Sequence, residues 1–309
     1  MLKTGAIGDK LFRTALLLAA SSILLLVAGI FLMMLQNSMP TIERYGLGLL
    51  FNREWAPAQQ SFGALPFIYG TVVSSLIAIL IAVPISLGVA VFLVEQAPRS
   101  IARPIAFMVE LLAAIPSVVY GLWGIFVLAP IIRDYLGPFL QTNLGFIPFF
   151  QGRLTGFGML TAGIILALMI TPIITAVVRD VLEAVPTSQR EAALALGATK
   201  WETTVIVLGN AASGIAGAVV LGLGRALGET MAVTMVIGNS PQITASLFEP
   251  AYTIASVLAA NFADATDELY MSALIEIGLL LFLVTFIVNG LAKLLIMTVA
   301  GRSNAAKHV

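Results

Sequence analysis

Residues 186–202 read PTSQREAALALGATKWE, a polar, helix-forming interruption between two long apolar runs. Ser188 and Glu191 stand at the spacing of a capping box, in which a hydroxyl caps the helix start and a carboxylate reaches back to it. Ala192 to Leu196 are good helix formers. Gly197 then falls where a helix ends, because glycine enters the left-handed conformation without a Cβ penalty. Thr199 and Glu202 repeat the capping-box spacing. The stretch therefore predicts helix, glycine turn, helix. So short an element cannot bury Leu194, Leu196 and Trp201 by itself; they rest on neighbouring helix ends or another protein covers them.

The surroundings of this loop are those of a membrane protein. Apolar residues make up 59% of the 309-residue chain, charged residues 10%, and the mean hydropathy is +1.02. Such a chain has lipid as its main solvent. Stretches at roughly 11–36, 68–94, 102–132, 157–178, 205–238 and 273–299 are each long enough to cross about 30 Å of hydrocarbon. The third contains Glu110 and Pro116 and is expected to tilt, kink or break; the fifth is too long for one simple crossing. The run from Leu11 to Leu35 is too long for a signal-peptide core and reads as a retained anchor.

Lys and Arg set the orientation. One side carries Lys3, Lys10, Arg13, Arg99, Arg103, Arg179, Arg190, Lys200, Lys293, Arg302 and Lys307; the other carries only Arg44, Arg53, Arg133 and Arg153. The richer side is the cytoplasmic one, which places both termini and the 186–202 loop in the cytoplasm. The expected organisation is a helix plus external loop over 1–67, a transmembrane core over 68–299 and a cytoplasmic tail over 300–309. The external stretch 239–272 holds Glu249, Asp264, Asp267 and Glu268 with no Lys or Arg. It reads as a solvated surface loop or as a docking surface for an extracytoplasmic partner.

Several chemistries are excluded. A net charge of zero gives no basic excess for nucleic acid, and the absence of cysteine removes disulfides and thiolate metal sites. His308 is the only histidine. No G-x-x-x-x-G-K-[ST] phosphate loop occurs, so nucleotide energy, if used, must come from another chain. With no paired aspartates and no Ser–Lys constellation, an intramembrane enzyme is disfavoured.

The other informative stretch is GLGRALGETMAV, residues 222–233, which keeps an Arg and a Glu in an otherwise uncharged span. Stepping 100° per residue along a helix over 211–232 places Ala211, Gly214, Ala218, Gly222, Arg225, Glu229 and Ala232 within an arc of about 80°. Val219, Val220, Leu223 and Leu227 fall broadly opposite. Small-residue seams face other helices, and an Arg against lipid costs roughly 2.5–3.5 kcal/mol on insertion scales, so the pair is expected to face protein or a water-filled cavity. Two readings remain. Arg225 meets a passing oxyanion while Glu229 holds it between passages, or the two form an ion pair that fixes packing. Glu276 is expected at the external interface, and Glu110 near the cytoplasmic one in a local cap or pair.

EAALALGATKWETT (191–204) resembles the EAA loop of ABC-importer membrane subunits, a helix–glycine–helix that fits a cleft on the ATPase. Glu191, Ala192, Ala193 and Gly197 match that motif position by position. The family pattern continues to I-x-L-P, whereas this chain reads Ile206-Val207-Leu208-Gly209, without the proline. GLGRALGETMAVTMVIGN (222–239) and ELLAAIPSVVYGLWG (110–124) are similar to PstC-type subunits of phosphate ABC importers, and the likeness runs from about residue 68 to 299. The resemblance implies an all-α polytopic fold of the type I ABC-importer permease (MetI-like) in the plasma membrane, with Arg225 and Glu229 on the phosphate pathway. It implies a homologous second permease of the PstA type, two ATPase subunits that hold ATP and Mg, and an extracytoplasmic phosphate-binding protein. No cofactor and no catalytic or metal-binding residue is expected on this chain. A sulfate or molybdate importer would share the loop and the fold; a stand-alone secondary anion transporter would make the loop incidental.

Overall fold

A computed structural model describes the backbone of residues 3–305 and the side chains of residues 8–294. His308 and the end of the expected cytoplasmic tail lie outside the described residues. Among the described residues, six helices are long and apolar enough to cross a membrane. In chain order the elements that matter are α1 (Gly8–Asn37), α2 (Met39–Tyr45), α3 (Leu65–Gln96), α4 (Arg99–Ala113), α5 (Ser117–Leu144) and α6 (Met159–Glu183). They are followed by α7 (Thr187–Ala195), α8 (Lys200–Gly228), α9 (Met231–Val236), α10 (Ile254–Asn261) and α11 (Glu268–Ala305).

The sixth element is the hub. Ile165, Leu166, Ile170, Ile174 and Val178 of α6 are all at most 1% exposed. Lipid tails are as apolar as these side chains, so association here rests on close packing rather than on escape from water. Small residues permit it. Gly163 lies against Ile77 of α3, and the Ser86 hydroxyl of α3 donates to the Thr171 carbonyl of α6 at 3.1 Å.

The structure refines four expectations. The third apolar stretch, expected over 102–132, divides: α4 ends at Ala113, Pro116 is extended with ψ 140°, and the crossing helix is α5. Proline lacks an N–H and holds its predecessor out of the helical region, which separates an interfacial helix from a spanning one. Glu110 of α4 pairs with Arg179 of α6 at 2.8 Å, as the local-pair expectation has it. The fifth stretch, expected over 205–238, also divides, with α8 stopping at Gly228 and α9 beginning at Met231.

The external stretch 239–272 is not merely a surface loop. It folds back so that Phe248, Ala251, Ile254, Ala255 and Val257 are buried, and α10 starts from a capping box between Thr253 and Ser256. The Ile254 N–H donates to the Thr71 hydroxyl of α3 at 2.9 Å. Glu276, expected at the external interface, is buried in the protein. It is 7% exposed beside Thr41 of α2, whose hydroxyl lies 2.6 Å from that of Ser272.

The folded-back segment can sit this close only because Gly70 of α3 has no side chain. A Cβ there would come within 2.0 Å of the Tyr252 carbonyl oxygen. Overpacking at a backbone contact costs about 1–3 kcal/mol or more, since backbone cannot swing aside as a side chain does. Gly70→Val is therefore expected to lower the melting temperature of the detergent-purified protein and the yield of its monodisperse fraction. An unchanged melting curve would show that the two backbones part at little cost.

Candidate functional site

Arg225 and Glu229 lie where α8 gives way to α9. The register of α8 on α6 follows from two glycine contacts, Gly214 against Val181 and Gly222 against Ile174 and Ile170. This antiparallel register brings Arg225 level with about residue 170, close to the middle of α6, and hence near the centre of the hydrocarbon. Ala211, Ala218 and Gly222 are buried, so that part of the small-residue seam does face a helix. Leu223 and Leu227, expected on the opposite side, are buried as well, because α8 is covered on more than one flank, by α6, α3 and α11.

Beyond the first turns of α8, where Trp201, Val205 and Ile206 are also exposed, the uncovered residues are Asn210, Ser213, Gly217, Leu221, Arg225 and Gly228. At 100° per residue these fall within an arc of about 120°. A strip so small and polar is ill suited to lipid and suits a neighbouring protein or water.

The expectation of one continuous helix through 232 does not hold. Glu229 is extended, with φ −70° and ψ 126°, and the following Thr230 opens the six-residue α9. The two charged residues meet at the four-residue helical spacing, because Glu229 keeps a helical φ and only its ψ turns the chain away after it. Arg225 Nη2 stands 3.9 Å from Glu229 Oε2, the outer edge of an ion pair. Glu229 is 8% exposed and its Oε1 accepts from the Ala232 N–H at 3.4 Å, whereas the Arg225 side chain is 47% exposed. The carboxylate is thus committed to the break. Among the described residues the guanidinium has no other charged partner.

Three neighbours hold the break in place. Ala232, Val233 and Val236 of α9 are buried against α5, α6 and α10. The approach of α5 needs Gly121 and Gly124, where a side chain would run into Met235 and Ala232 or into Val236 and Ile165. Gly228, by contrast, has open space where a Cβ would be. Beside it Val220, Gly224 and Gly228 border a groove of about 620 Å³ whose far wall is α11, with Phe282, Asn289 and Lys293. Lys293, counted from the sequence with the cytoplasmic tail, is one of its lining residues.

The cytoplasmic loop has the helix–glycine–helix form. Gly197 has φ +86°, its N–H donates to the Leu194 carbonyl at 3.0 Å, and the Thr199–Glu202 capping box is present. The Ser188–Glu191 box does not form. Pro186, with ψ 138°, stands at the N-cap and starts α7 at Thr187, which leaves Ser188 inside the first turn. Glu191 and Ala192 are exposed and Ala193 is buried. Leu194, Leu196 and Trp201 are 51%, 90% and 67% exposed, so the bundle leaves these apolar groups for something else to cover.

Two residues that sequence reasoning passed over also belong to this end of the molecule. Arg190 of α7 reaches Glu95 at the end of α3, Nη2 to Oε1, at 2.8 Å. A signal existed in the charge at the close of an apolar span, FLVEQ, but nothing local pointed to its partner.

The sequence profile described as binding-protein-dependent transport system inner membrane component matches residues 82–299. Similar proteins include the phosphate transport system permease protein PstC of Xylella fastidiosa (strain 9a5c), 46% identical over 94% of this chain and 90% of that protein. The PstC of Haemophilus influenzae is 45% identical over 93% of each chain. A probable PstC of Methanocaldococcus jannaschii is 39% identical over 82% of each. Among solved structures, a chain of the inward-facing MetNI methionine ABC transporter aligns at 19% identity with a TM-score of 0.49, over 75% of this chain and 93% of that one.

Proposed function

The chain belongs to the family of binding-protein-dependent transport system inner membrane components, and from that premise we propose that it is the permease subunit through which an ATP-driven importer moves inorganic phosphate. The observation that carries this reading is a guanidinium at mid-depth, next to a helix break, whose only charged neighbour among the described residues stands at 3.9 Å. Non-helical backbone at membrane depth is tolerated where it is buried in protein or lines water. Here it is flanked by open space at Gly228.

The Arg225 guanidinium presents paired donors that match two phosphate oxygens. Glu229 competes with the anion for that charge and so keeps it from binding too tightly to leave. An ionised carboxylate is an acceptor only. Hydrogen phosphate brings a hydroxyl that can donate to it; sulfate brings acceptors alone and is repelled. This asymmetry favours phosphate over other tetrahedral oxyanions.

The partners in this reading are a second, PstA-type permease against the open strip of α8, two ATPase subunits on the cytoplasmic face, and an extracytoplasmic phosphate-binding protein. ATP and Mg are held by the ATPase subunits. Glu191, Ala192, Ala193 and Gly197 form the loop those subunits engage. Their motion tilts the spans as rigid bodies and exposes the Arg225 region to each side in turn. Cells relying on this system should take up labelled phosphate saturably, with unlabelled phosphate competing and sulfate or molybdate failing to compete. Saturable sulfate uptake indifferent to phosphate would replace phosphate with sulfate as the cargo, and uptake without any ATPase would make the chain a secondary transporter.

A further inference from the structure

Little apolar packing holds α7 to the membrane bundle, since Ala193 is its only buried residue among those described. A polar joint does the holding. Arg190 Nη1 donates to the Val185 carbonyl at 2.6 Å and Nη2 to the Leu182 carbonyl at 2.9 Å. The same guanidinium donates from Nε and Nη2 to Glu95 Oε1 at 3.1 and 2.8 Å. Leu182 lies in the last turn of α6 and Val185 just beyond it; the Leu182 carbonyl also accepts from the Val185 N–H at 3.3 Å, and Pro186 supplies no N–H for the helical bond it would otherwise receive. Glu95 lies in a turn of π-helix, Phe92–Gln96, that closes α3. One guanidinium therefore ties α7 to the ends of two spans.

The pair is well shielded, with side-chain exposures of 18% for Arg190 and 10% for Glu95. Shielding strengthens a charge-assisted contact and makes its rupture costly. On its far side is a cavity of about 570 Å³ bordered by Leu194, Trp201 and Thr203, so the apolar face of α7 is not wedged against the bundle there. Displacement of α7 reaches α6 and α8 through the short chain links at 184–186 and 196–199 and the Gln189–Asn210 hydrogen bond at 2.6 Å, whereas its link to α3 is this polar joint. The π turn at Glu95 is a place where α3 can yield without breaking its helix.

We propose that Arg190 and Glu95 are positioning residues that transmit the movement of α7 into α3 and α6, and so couple ATP turnover to reorientation of the pathway. The proposal rests on the reading of α7 as the element the ATPase engages. It leaves substrate binding at Arg225 to other residues.

The test uses the complete complex in sealed proteoliposomes and counts phosphate moved per ATP hydrolysed. Arg190→Gln and the isosteric Glu95→Gln are each expected to leave ATP turnover within about twofold while transport per ATP falls about tenfold, within the range of allosteric couplings. The chain has no cysteine, so Glu95→Cys with Arg190→Cys offers one bridgeable pair. A short bifunctional thiol reagent should restore much of the lost coupling, which a merely structural defect would not show. Wild-type transport per ATP in both single variants, or no recovery on bridging, overturns the joint. A wild-type complex whose transport is indifferent to ATP would instead sink the coupling reading of α7. Should Arg190→Gln fail to assemble, Glu95→Gln, which keeps the shape and one acceptor oxygen but loses the charge and the second acceptor, decides alone.

Discussion

Arg225→Gln is expected to lower phosphate uptake by about a hundredfold or more, while the complex still assembles and its ATPase still responds. Each charge-assisted hydrogen bond contributes about 1.5–3 kcal/mol, and a bidentate contact has two of them. Losing both therefore exceeds the roughly 2.8 kcal/mol that corresponds to a hundredfold. Glutamine keeps much of the length and one pair of N–H donors but lacks the charge. Assembly should survive because Arg225 is 47% exposed within this chain and packs little, while the neighbouring Ala226 and Leu227 that hold α8 to the bundle stay unchanged. Arg225→Lys is expected to fall between the two, since it keeps the charge but loses the planar fork. The measurement is uptake of labelled phosphate beside ATP turnover on one preparation. Full transport by Arg225→Gln would assign the residue to packing.

Gly197→Pro is expected to abolish coupled transport from the opposite end of the molecule. Gly197 has φ +86°, and its N–H donates to the Leu194 carbonyl at 3.0 Å. Proline locks φ near −65° and has no N–H, so the turn and the hydrogen bond are lost together. The start of α8 then swings relative to α7, and the exposed Leu194, Leu196 and Trp201 no longer form one surface. A strained glycine turn costs more than the few tenths of a kcal/mol typical of a surface substitution. Glu191→Lys tests the same surface without disturbing the backbone, because Glu191 is exposed. Both variants should show ATP turnover no longer tied to uptake, with weaker co-purification of the ATPase. Unchanged co-purification and coupled transport would mean that the loop packs only on its own bundle.

Much of this architecture was legible in the sequence because hydropathy and small-residue spacing act locally. Each of the six apolar runs supplied one spanning helix, the third and fifth with a further break, and Gly214, Ala218 and Gly222 became a packed seam because their spacing follows the helical repeat. The Thr199–Glu202 capping box and the Gly197 turn were legible for the same reason. The breaks were harder to read. Pro84 and Pro172 lie inside helices that continue, whereas Pro116 separates two, and a hydropathy window averages over all three alike. The break after Gly228 carries no proline at all. It is held by α9 packing against glycines of α5 about a hundred residues away in the chain. Burial of Glu276 and the Arg190–Glu95 joint depend likewise on distant partners, so neither shows in a local pattern.

The break itself permits the most direct test of the account. Gly228 has open space around a prospective Cβ, and the chain has no native cysteine to confuse labelling. In the assembled complex, Gly228→Cys should react with a membrane-impermeant thiol reagent from one side without nucleotide and from the other with ATP bound. Phosphate should slow the reaction in at least one of these states. A cysteine that stays unreactive from both sides in both states would place the Gly228–Thr230 break in packed protein, and would contradict the claim that the anion passes there.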